Sequence, residues 1–353
     1  MTSGRRIAVA MSGGVDSSVV AALLRDAGED AFGLMLRLSD EGKGPANRCC
    51  APADIAAARQ VARQLGMPFY VVDAREAFER SVILDFVSGY AQGVTPNPCI
   101  ECNRSIRWGF LLEHALAFGA THLATGHYAR VEHQDGLYIL RTGLDPRKDQ
   151  SYVLHVLTQS RLAHAIFPLG GWNKDQVRAR ARESGLAVAD RHESQDLCFV
   201  DGDYRAFLTA RGTISPPGPI LTSTGGLLGQ HTGLAHYTHG QRQGLGIAST
   251  QPLYVLEKDR ARNALIVGPR DQVGRRQFEI ANVNWIAGAP PAQAFEAQAQ
   301  VRYHAVRLDC CVACLPDRRA RVELATRQPD VAPGQSAVFY SGDVCLGGGI
   351  IQA

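Results

Sequence analysis

Two cysteines three positions apart, Cys99 and Cys102, are side chains in this 353-residue sequence that could do covalent chemistry. They follow two prolines in the run TPNPCIECN and precede a segment with helical periodicity. The pattern predicts a helix over residues 103–118 with Cys102 in its first turn, where the helix dipole lowers the cost of a thiolate. Such a thiolate could be a nucleophile, a metal ligand or half of a redox pair, and two buried structural thiols are the alternative.

A glycine-rich loop, AMSGGVDSS, is the second candidate site, and it lies between a short apolar run and a helical pattern. Its backbone N–H groups, its serine hydroxyls and the positive end of the following helix would all attract an anion. The loop lacks the Gly-Lys-Ser/Thr ending of a Walker loop. We therefore expect it to hold the pyrophosphate half of ATP, in a reaction that splits between the α- and β-phosphates. An ordinary glycine turn is the alternative.

A third thiol, Cys198 in the run SQDLCF, lies far from Cys102 in sequence but in the same half of the chain. Covalent sulfur chemistry needs one cysteine to carry a persulfide and a second thiol to resolve it. An adenylating loop together with two separated thiol sites predicts ATP-driven thiolation. In such a reaction an oxygen is activated as an adenylate and is then displaced by sulfur.

The elements that must position these residues alternate between short apolar runs and helical patterns. Strands are expected near 7–11, 31–36, 69–73 and 122–125, and helices near 16–25, 53–65, 103–118 and 174–185. This alternation predicts an α/β doubly wound parallel sheet. Nucleotides bind at the carboxyl ends of such strands, where His127 could contact ATP or only cap a turn.

Beyond Tyr204 the sequence is rich in turns and poor in helical patterns. Strands are expected at 253–256, 264–267, 299–303, 321–325 and 337–340. We expect a small linker domain followed by a C-terminal β-barrel. The predicted domains are an ATP-binding catalytic domain at 1–204, a small central α+β domain at 205–275 and a β-barrel at 276–353.

Composition narrows the class of protein. A hydrophobic fraction of 45% and a charged fraction of 20% are typical of a soluble globular protein. No run approaches the ~20 apolar residues of a membrane helix, and the N-terminal apolar run breaks at Ser12, so we expect a cytoplasmic protein with no membrane partner. The net charge of +3 permits a polyanion partner only through a local patch, for which residues 301–327 are a candidate.

Nine cysteines, an odd number, argue against a complete disulfide framework. The run CCVAC, Cys310 to Cys314, lacks the second ligand pair of a zinc site, so buried structural cysteines are expected there. Cys345 is expected to pack in the last strand. Cys49 and Cys50 end a polar, glycine-rich loop over 39–49.

Seven blocks of the sequence, in order, resemble one known family over nearly the whole chain. They are AMSGGVDSS, TPNPCIECN, ATGHYAR, KDQSYVL, SQDLCF, HTGLAHYTHGQRQGLGI and FYSGDVCLGGG. The family is that of the tRNA-specific 2-thiouridylases (MnmA, or TrmU in its mitochondrial form), within the PP-loop ATP pyrophosphatase superfamily. The resemblance implies a tRNA-uridine 2-sulfurtransferase that makes 2-thiouridine at the wobble position of tRNAs for lysine, glutamate and glutamine. AMP and pyrophosphate would be the other products.

The resemblance also implies roles for individual residues. Cys198 would carry the persulfide, and Cys102 would be its partner nucleophile, able to form a disulfide with it after transfer. A cysteine desulfurase or a sulfur-relay protein would supply the sulfur, and tRNA would be the substrate. ATP, with Mg²⁺, would contact Ala10, Met11, Ser12, Gly13, Gly14, Val15, Asp16, Ser17, Leu36 and Gly126. The target base would meet Asn97, Pro98 and Cys99, and tRNA would meet Lys148, Asp149, Gln150, Arg302 and Tyr303.

The chain departs from part of the family at position 99, where some relatives have an aspartate with an acid/base role. A thiol cannot serve identically, so Cys99 is not assigned as a general base. Its presence instead completes a trio, Cys99, Cys102 and Cys198. Three cysteines could hold a [4Fe–4S] cluster with one open iron for sulfide, which is a separate hypothesis.

Two rival functions belong to other classes. A PP-loop ligase that makes an amide or guanidinium group would use the same loop, but it has no use for paired thiols. A cluster-bearing redox or RNA-binding protein with a vestigial nucleotide site would use the cysteines without releasing pyrophosphate.

Overall fold

A parallel sheet forms the centre of the first half of the chain. The computed structural model describes residues 5–39, 52–191, 197–200, 202–213, 216–329 and 331–352. With strands numbered in chain order, the sheet order is β3-β2-β1-β4-β7, and every neighbouring pair is parallel. Its strands are β1 Arg6–Ala10, β2 Asp30–Arg37, β3 Phe69–Asp73, β4 His122–Ala124 and β7 Ala165–Ile166.

Helices cover both faces of this sheet, which confirms the predicted doubly wound α/β fold. Successive residues of a strand point to opposite faces, and β1 shows this: Ile7 and Val9 belong to one core cluster, and Ala8 belongs to the other. The first face is covered by α1 Val15–Asp26, α2 Pro52–Gln64 and α9 Lys174–Glu183. The second is covered by α3 Arg75–Phe78, a π-helical turn Glu79–Ile83, α4 Leu84–Ala91 and the helix that bears Cys102.

The helix that bears Cys102 begins earlier than the sequence pattern predicted. It starts as α5 Pro98–Glu101, continues as a π-helical stretch Cys102–Leu111 and ends as α6 Leu112–Ala117. Asn97 is the N-cap residue, whose side chain accepts hydrogen bonds from the N–H groups of Cys99 and Ile100. Pro is favoured at the first helical position and Asn at the cap, which explains the earlier start. The prediction that Cys102 lies in the first turn is therefore wrong, because Pro98–Glu101 form the first turn and Cys102 follows them.

A small sheet follows the α/β half. After α10 Tyr204–Ala210, its strands pair in the order β10-β11-β8-β9. Ile220, Val255, Leu265 and Val267 form the centre of its apolar core. The strands are β8 Gly218–Thr222, β9 Leu227–His231, β10 Tyr254–Asp259 and β11 Ala264–Gly268, with short 3-10 turns at Leu234–His236 and Arg270–Gln272.

The C-terminal part of the described chain, Arg275–Ile351, closes into a six-stranded barrel, as predicted. The order is β12-β15-β14-β13-β16-β17, and β12 also pairs with β17. Ile280 shows the closure, since it is opposite Ala320 on one side and Ile351 on the other. The strand expected over 299–303 lies earlier in the chain, because it runs from Ala294 to Gln300. The barrel strands are β12 Arg275–Trp285, β13 Ala294–Gln300, β14 Leu308–Leu315, β15 Arg319–Gln328, β16 Ser336–Ser341 and β17 Val344–Ile351.

A hairpin that the sequence analysis missed joins the two halves. Its strands, β5 Ala129–Gln134 and β6 Leu137–Thr142, extend the barrel sheet through the pairing of β6 with β17. Asp343 accepts hydrogen bonds of 2.7 Å from both Arg130 and Arg141 across this junction. Two short helices follow the hairpin, α7 Ser151–Leu154 and α8 Gln159–Leu162. None of the helices in the described segments is long and apolar enough to cross a membrane.

Candidate functional site

The loop between β1 and α1 is held in one shape by its own serines. The Ser17 hydroxyl accepts a hydrogen bond from the Ser12 N–H at 3.2 Å, and the Ser18 hydroxyl donates to the Gly14 carbonyl at 2.8 Å. Gly13 has a φ of +74°, and a Cβ there would lie 2.6 Å from the Asp54 carbonyl oxygen. A side chain at position 13 would therefore strain the loop. The loop is a compact turn at a helix N-terminus, as an anion cradle requires.

Two cationic side chains that the sequence analysis missed lie against this loop. Lys174 Nζ donates to the Asp16 carboxylate at 2.7 Å, and Tyr128 donates to the same oxygen at 2.8 Å. Arg191 donates to the Gly13 carbonyl at 2.7 Å. Both cations come from segments far along the chain, so no local spacing indicates them. Each cation is ion-paired with a carboxylate at the loop, Lys174 with Asp16 and Arg191 with Asp54, and both lie beside a site that favours anions.

The predicted nucleotide residues outside the loop lie at the adjacent strand ends. Leu36 is near the end of β2, and Gly126 follows β4, so the two flank β1 on opposite sides. The strand order reverses at β1, which is where nucleotides bind in doubly wound sheets. A Cβ on Gly126 would lie 3.0 Å from the Cβ of Asp16 and 3.2 Å from the Ser17 nitrogen. Glycine therefore allows this strand end to approach the phosphate loop.

His127, for which ATP contact and turn capping were both open, is buried and hydrogen-bonded inside the protein. Its Nδ1 lies 2.7 Å from the Thr125 hydroxyl, and its Nε2 lies 3.4 Å from an Arg107 nitrogen. Burial, with a smaller contribution from Arg107, holds the pKa of His127 well below its usual range, so the ring is neutral. These contacts favour the capping alternative.

The two thiols assigned to sulfur transfer pack against one apolar cluster. Cys102 and Cys198 are both half-buried, and both contact the core cluster that includes Phe86, Ile106 and Phe199. The fold therefore places both thiols on the same side of the sheet, although they are far apart in sequence, and Phe199, next to Cys198, packs on Phe78 and Phe86. Cys99, in contrast, is exposed.

The three cysteines are not arranged as a metal site. Across the described segments, which include Cys99, Cys102 and Cys198, no group of three or more His, Cys, Asp or Glu side chains could hold a metal ion. The reason is their placement, since one thiol faces solvent while the other two pack on the core. The structure does not support the [4Fe–4S] hypothesis.

The residues expected to line the target base have local structural roles. Asn97 Oδ1 accepts from the N–H groups of Cys99 at 3.1 Å and Ile100 at 3.3 Å. Pro98 is buried as the first residue of α5. Together, Asn97 and Pro98 fix the start of α5 and therefore the direction of the exposed Cys99 side chain.

The residues expected to contact tRNA come together from two parts of the chain. Asp149 accepts from Ser151 and from the Gly143 N–H, and Gln150 Oε1 accepts from the Tyr128 N–H. Tyr303, in the turn after β13, packs on Tyr152 with ring centroids 6.0 Å apart. Of the five predicted residues, Arg302 is the exposed one, and Lys148, Asp149, Gln150 and Tyr303 are partly exposed.

The remaining described cysteines are mostly structural, as expected. Cys310 and Cys345 are buried, and burial raises the pKa of each thiol to about 12. Cys311 differs from the expectation, because it is exposed on the opposite face of β14. Cys49 and Cys50, with nearly all of the loop over 39–49, lie outside the described residues.

Comparison with known proteins covers all parts of the chain. Family models match residues 5–202 (tRNA methyl transferase HUP domain), 205–269 (tRNA methyl transferase PRC-barrel domain) and 275–351 (aminomethyltransferase beta-barrel domain). The chain is 48% identical over 350 residues to the tRNA-specific 2-thiouridylase MnmA of Chloroflexus aggregans, covering 98% of each. It is 46% identical over 357 residues to that of Magnetococcus marinus, covering 99% of this chain and 100% of the relative.

Some solved structures match the chain at a distance. A 4-thiouridine synthetase–RNA complex with bound ATP aligns with 12% identity and a TM-score of 0.34, covering 60% of this chain and 51% of that one. A likeness at this level does not bear on function.

Proposed function

The chain belongs to the family of tRNA-specific 2-thiouridylases and is a tRNA sulfurtransferase that thiolates uridine, and we propose that its product is 2-thiouridine at the wobble position of tRNAs for lysine, glutamate and glutamine. ATP would activate the base, and a persulfide on Cys198 would supply the sulfur. The observation that supports this most directly is the packing of Cys102 and Cys198 on one core cluster, in the domain that bears the phosphate loop.

ATP is proposed to bind with its phosphates on residues 10–17. Backbone N–H groups, the Ser12 and Ser17 hydroxyls and the start of α1 would hold the phosphate oxygens. Lys174 and Arg191 would offset the phosphate charge from the side of the loop. Asp16 fits the usual pattern in which Mg²⁺ is held by one carboxylate together with substrate phosphates, and such an ion would neutralise charge on them.

The first chemical step is adenylation. The oxygen on carbon 2 of uracil attacks the α-phosphorus of ATP, and the bond between the α-phosphorus and the bridging oxygen breaks to release pyrophosphate. This converts a poor leaving group into AMP. A uracil inside a stacked anticodon could not reach the loop, so the base must leave its stack. Asn97, Pro98 and Cys99 would line its position, with Lys148, Asp149, Gln150, Arg302 and Tyr303 holding the tRNA.

The second step transfers sulfur. The terminal sulfur of the Cys198 persulfide attacks carbon 2, and the carbon–oxygen bond breaks to release AMP. The Cys102 thiolate then attacks the Cys198 sulfur, so that the sulfur–sulfur bond breaks and its electron pair stays on the thiouridine sulfur. The product leaves, and a Cys102–Cys198 disulfide remains. A thiol reductant returns the pair to thiols, and a cysteine desulfurase or relay protein reloads Cys198.

Mass spectrometry of tRNA nucleosides tests this function. The protein is incubated with tRNA, ATP, a cysteine desulfurase and cysteine, and 2-thiouridine is measured. Cys102→Ser and Cys198→Ser should bind tRNA and make no 2-thiouridine, whereas Cys311→Ser, which changes an exposed thiol on the barrel, should retain activity. Full activity in either of the first two variants would refute the assigned roles.

A pyrophosphate-release assay, with and without tRNA, separates the rival functions. Pyrophosphate release driven by a small amine or acid, without tRNA, would favour a PP-loop ligase. Failure of tRNA to stimulate any pyrophosphate release would favour an RNA-binding or redox protein.

A further inference from the structure

The loop that precedes the Cys99–Cys102 helix is held by the barrel. The Thr95 N–H donates to the Pro333 carbonyl at 2.8 Å, and Gln335 Nε2 donates to the Thr95 carbonyl at 2.7 Å. Both hydrogen-bonding groups of the Thr95 backbone are therefore used by barrel residues. Gly334 lies between them with a φ of +90°, and a Cβ there would lie 2.8 Å from the Thr95 nitrogen.

The other side of the same loop rests on α4. A Cβ on Gly89 would lie 2.8 Å from a ring carbon of Pro96, so this helix also approaches the loop closely. A cavity of about 170 Å³ lies beside the contact, and its lining includes Pro96, Asn97 and Gly334. The loop is therefore held between the hydrogen bonds from the barrel and the close approach of α4.

The chain between Thr95 and the thiols is stiff enough to transmit a displacement. Pro96 and Pro98 each have a fixed φ, and the residues before them, Thr95 and Asn97, are restricted by the prolines that follow. Asn97 caps α5 through the N–H groups of Cys99 and Ile100. Movement at Thr95 would therefore shift the start of the helix and the two thiols with it.

We propose that Gly334 and Gln335 of the barrel are positioning residues for Cys102. They hold Thr95, and through the two prolines and the Asn97 cap they set where the helix begins and how its thiol meets the partner sulfur. This inference rests on the proposed role of Cys102 in sulfur transfer. It makes the barrel part of the catalytic alignment as well as a surface for tRNA.

Two substitutions with matched controls test the proposal. Gly334→Ala places a Cβ against Thr95, whereas Gly288→Ala adds one at a barrel position with a similar φ of +87° and nothing within 4 Å. Gln335→Glu replaces the donor to Thr95 by an acceptor at nearly constant volume. Gln293→Glu makes the same change at an exposed barrel glutamine that donates to the Cys314 carbonyl.

The measurements are kcat, KM for tRNA, and the rate at which iodoacetamide alkylates Cys102 relative to Cys198, followed by peptide mass spectrometry. Gly334→Ala and Gln335→Glu should lower kcat by ~10- to 100-fold, the scale expected for a misplaced reacting group. KM for tRNA should stay within about twofold, because the lost alignment acts on the chemical step. The relative alkylation rate of Cys102 should change in both variants and in neither control.

Unchanged kcat and unchanged alkylation in Gln335→Glu would overturn the proposal, even if Gly334→Ala fails to fold. A rise in KM for tRNA with kcat intact would also overturn it, since that would indicate tRNA docking. The alkylation comparison does not need turnover. A wild-type protein that makes no 2-thiouridine would therefore refute the proposed function. The positioning role of Gly334 and Gln335 would still be judged by the alkylation of Cys102.

Discussion

Replacing Lys174 with Met tests how the phosphate loop is supported. Lys174 is 7% exposed, and its Nζ lies 2.7 Å from the Asp16 carboxylate in the first turn of α1. Met has a similar length and fills the same space without the charge. The substitution therefore removes one cation from the loop and leaves the Asp16 carboxylate hydrogen-bonded to the Tyr128 hydroxyl.

The expected magnitudes follow from these contacts. A hydrogen bond to a charged group contributes ~1.5–3 kcal/mol, but Asp16 is partly exposed, so we expect a loss of ~1–2 kcal/mol in the free energy of unfolding. Loss of a cation beside the phosphates should weaken their binding by a similar ~1–2 kcal/mol, which corresponds to a ~5- to 30-fold rise in KM for ATP. The affinity for tRNA should not change.

The assay is pyrophosphate release as a function of ATP concentration at saturating tRNA. Lys258→Met is the matched control, because Lys258 is also 7% exposed but lies in the small central sheet. Wild-type KM for ATP in Lys174→Met would refute the assignment of this cation to the phosphate loop. An equal rise in both variants would show that any buried lysine has the same effect and would refute it as well.

Three further predictions concern stability. Burial lowers the pKa of Lys258 from 10.5 to about 8, which corresponds to ~3 kcal/mol of unfavourable charging in the folded protein. Lys258→Met removes this cost but also loses one hydrogen bond, so it should stabilise the protein by ~1–2 kcal/mol in urea unfolding. The pKa of Lys258 is lower in the folded protein than in the unfolded chain, so the added stability of Lys258→Met should be complete below about pH 8 and fade as pH rises toward 10.5. An added stability that grows with pH would contradict this prediction. Gly13→Ala should destabilise by ~1–3 kcal/mol because its Cβ meets the Asp54 carbonyl at a positive φ, and a neutral effect in thermal unfolding would be inconsistent with the loop geometry. Arg307→Ala removes the ion pair with Asp149 at 3.6 Å and the cation–π contact with the Tyr340 ring, so urea unfolding should show a loss of ~1 kcal/mol. No loss would mean that these two contacts contribute nothing to domain docking.

The inner strands β1 and β2 could be predicted from the sequence because they are buried on both faces. Residues 7–9 form a continuous apolar run, as parallel strands between helices require. The hairpin of β5 and β6 escaped prediction because most of its residues are exposed or half-buried, so its hydrophobic pattern is weak. The start of the Cys102 helix was misplaced because Asn97 and Pro98 resemble turn residues as much as a cap and a first helical position.

The candidate site also has parts that the sequence predicts and parts that it does not. The phosphate loop and the thiols are local motifs, and the sequence indicated both. Lys174, Arg191 and the contact of Gln335 with Thr95 depend on tertiary packing between distant segments, which no spacing reveals. The domain limits at 204 and 275, and the roles of individual ATP and tRNA residues, stay predictions.

The central claim is that the terminal sulfur passes from the Cys198 persulfide to the uridine and that Cys102 then forms a disulfide with Cys198. The most direct test loads Cys198 with a heavy-isotope persulfide, removes the desulfurase, and adds ATP, tRNA and ordinary sulfide in one turnover. We predict that heavy sulfur appears in 2-thiouridine and that an equal amount of Cys102–Cys198 disulfide forms. Incorporation of ordinary sulfur, or thiolation without the disulfide, would contradict the account.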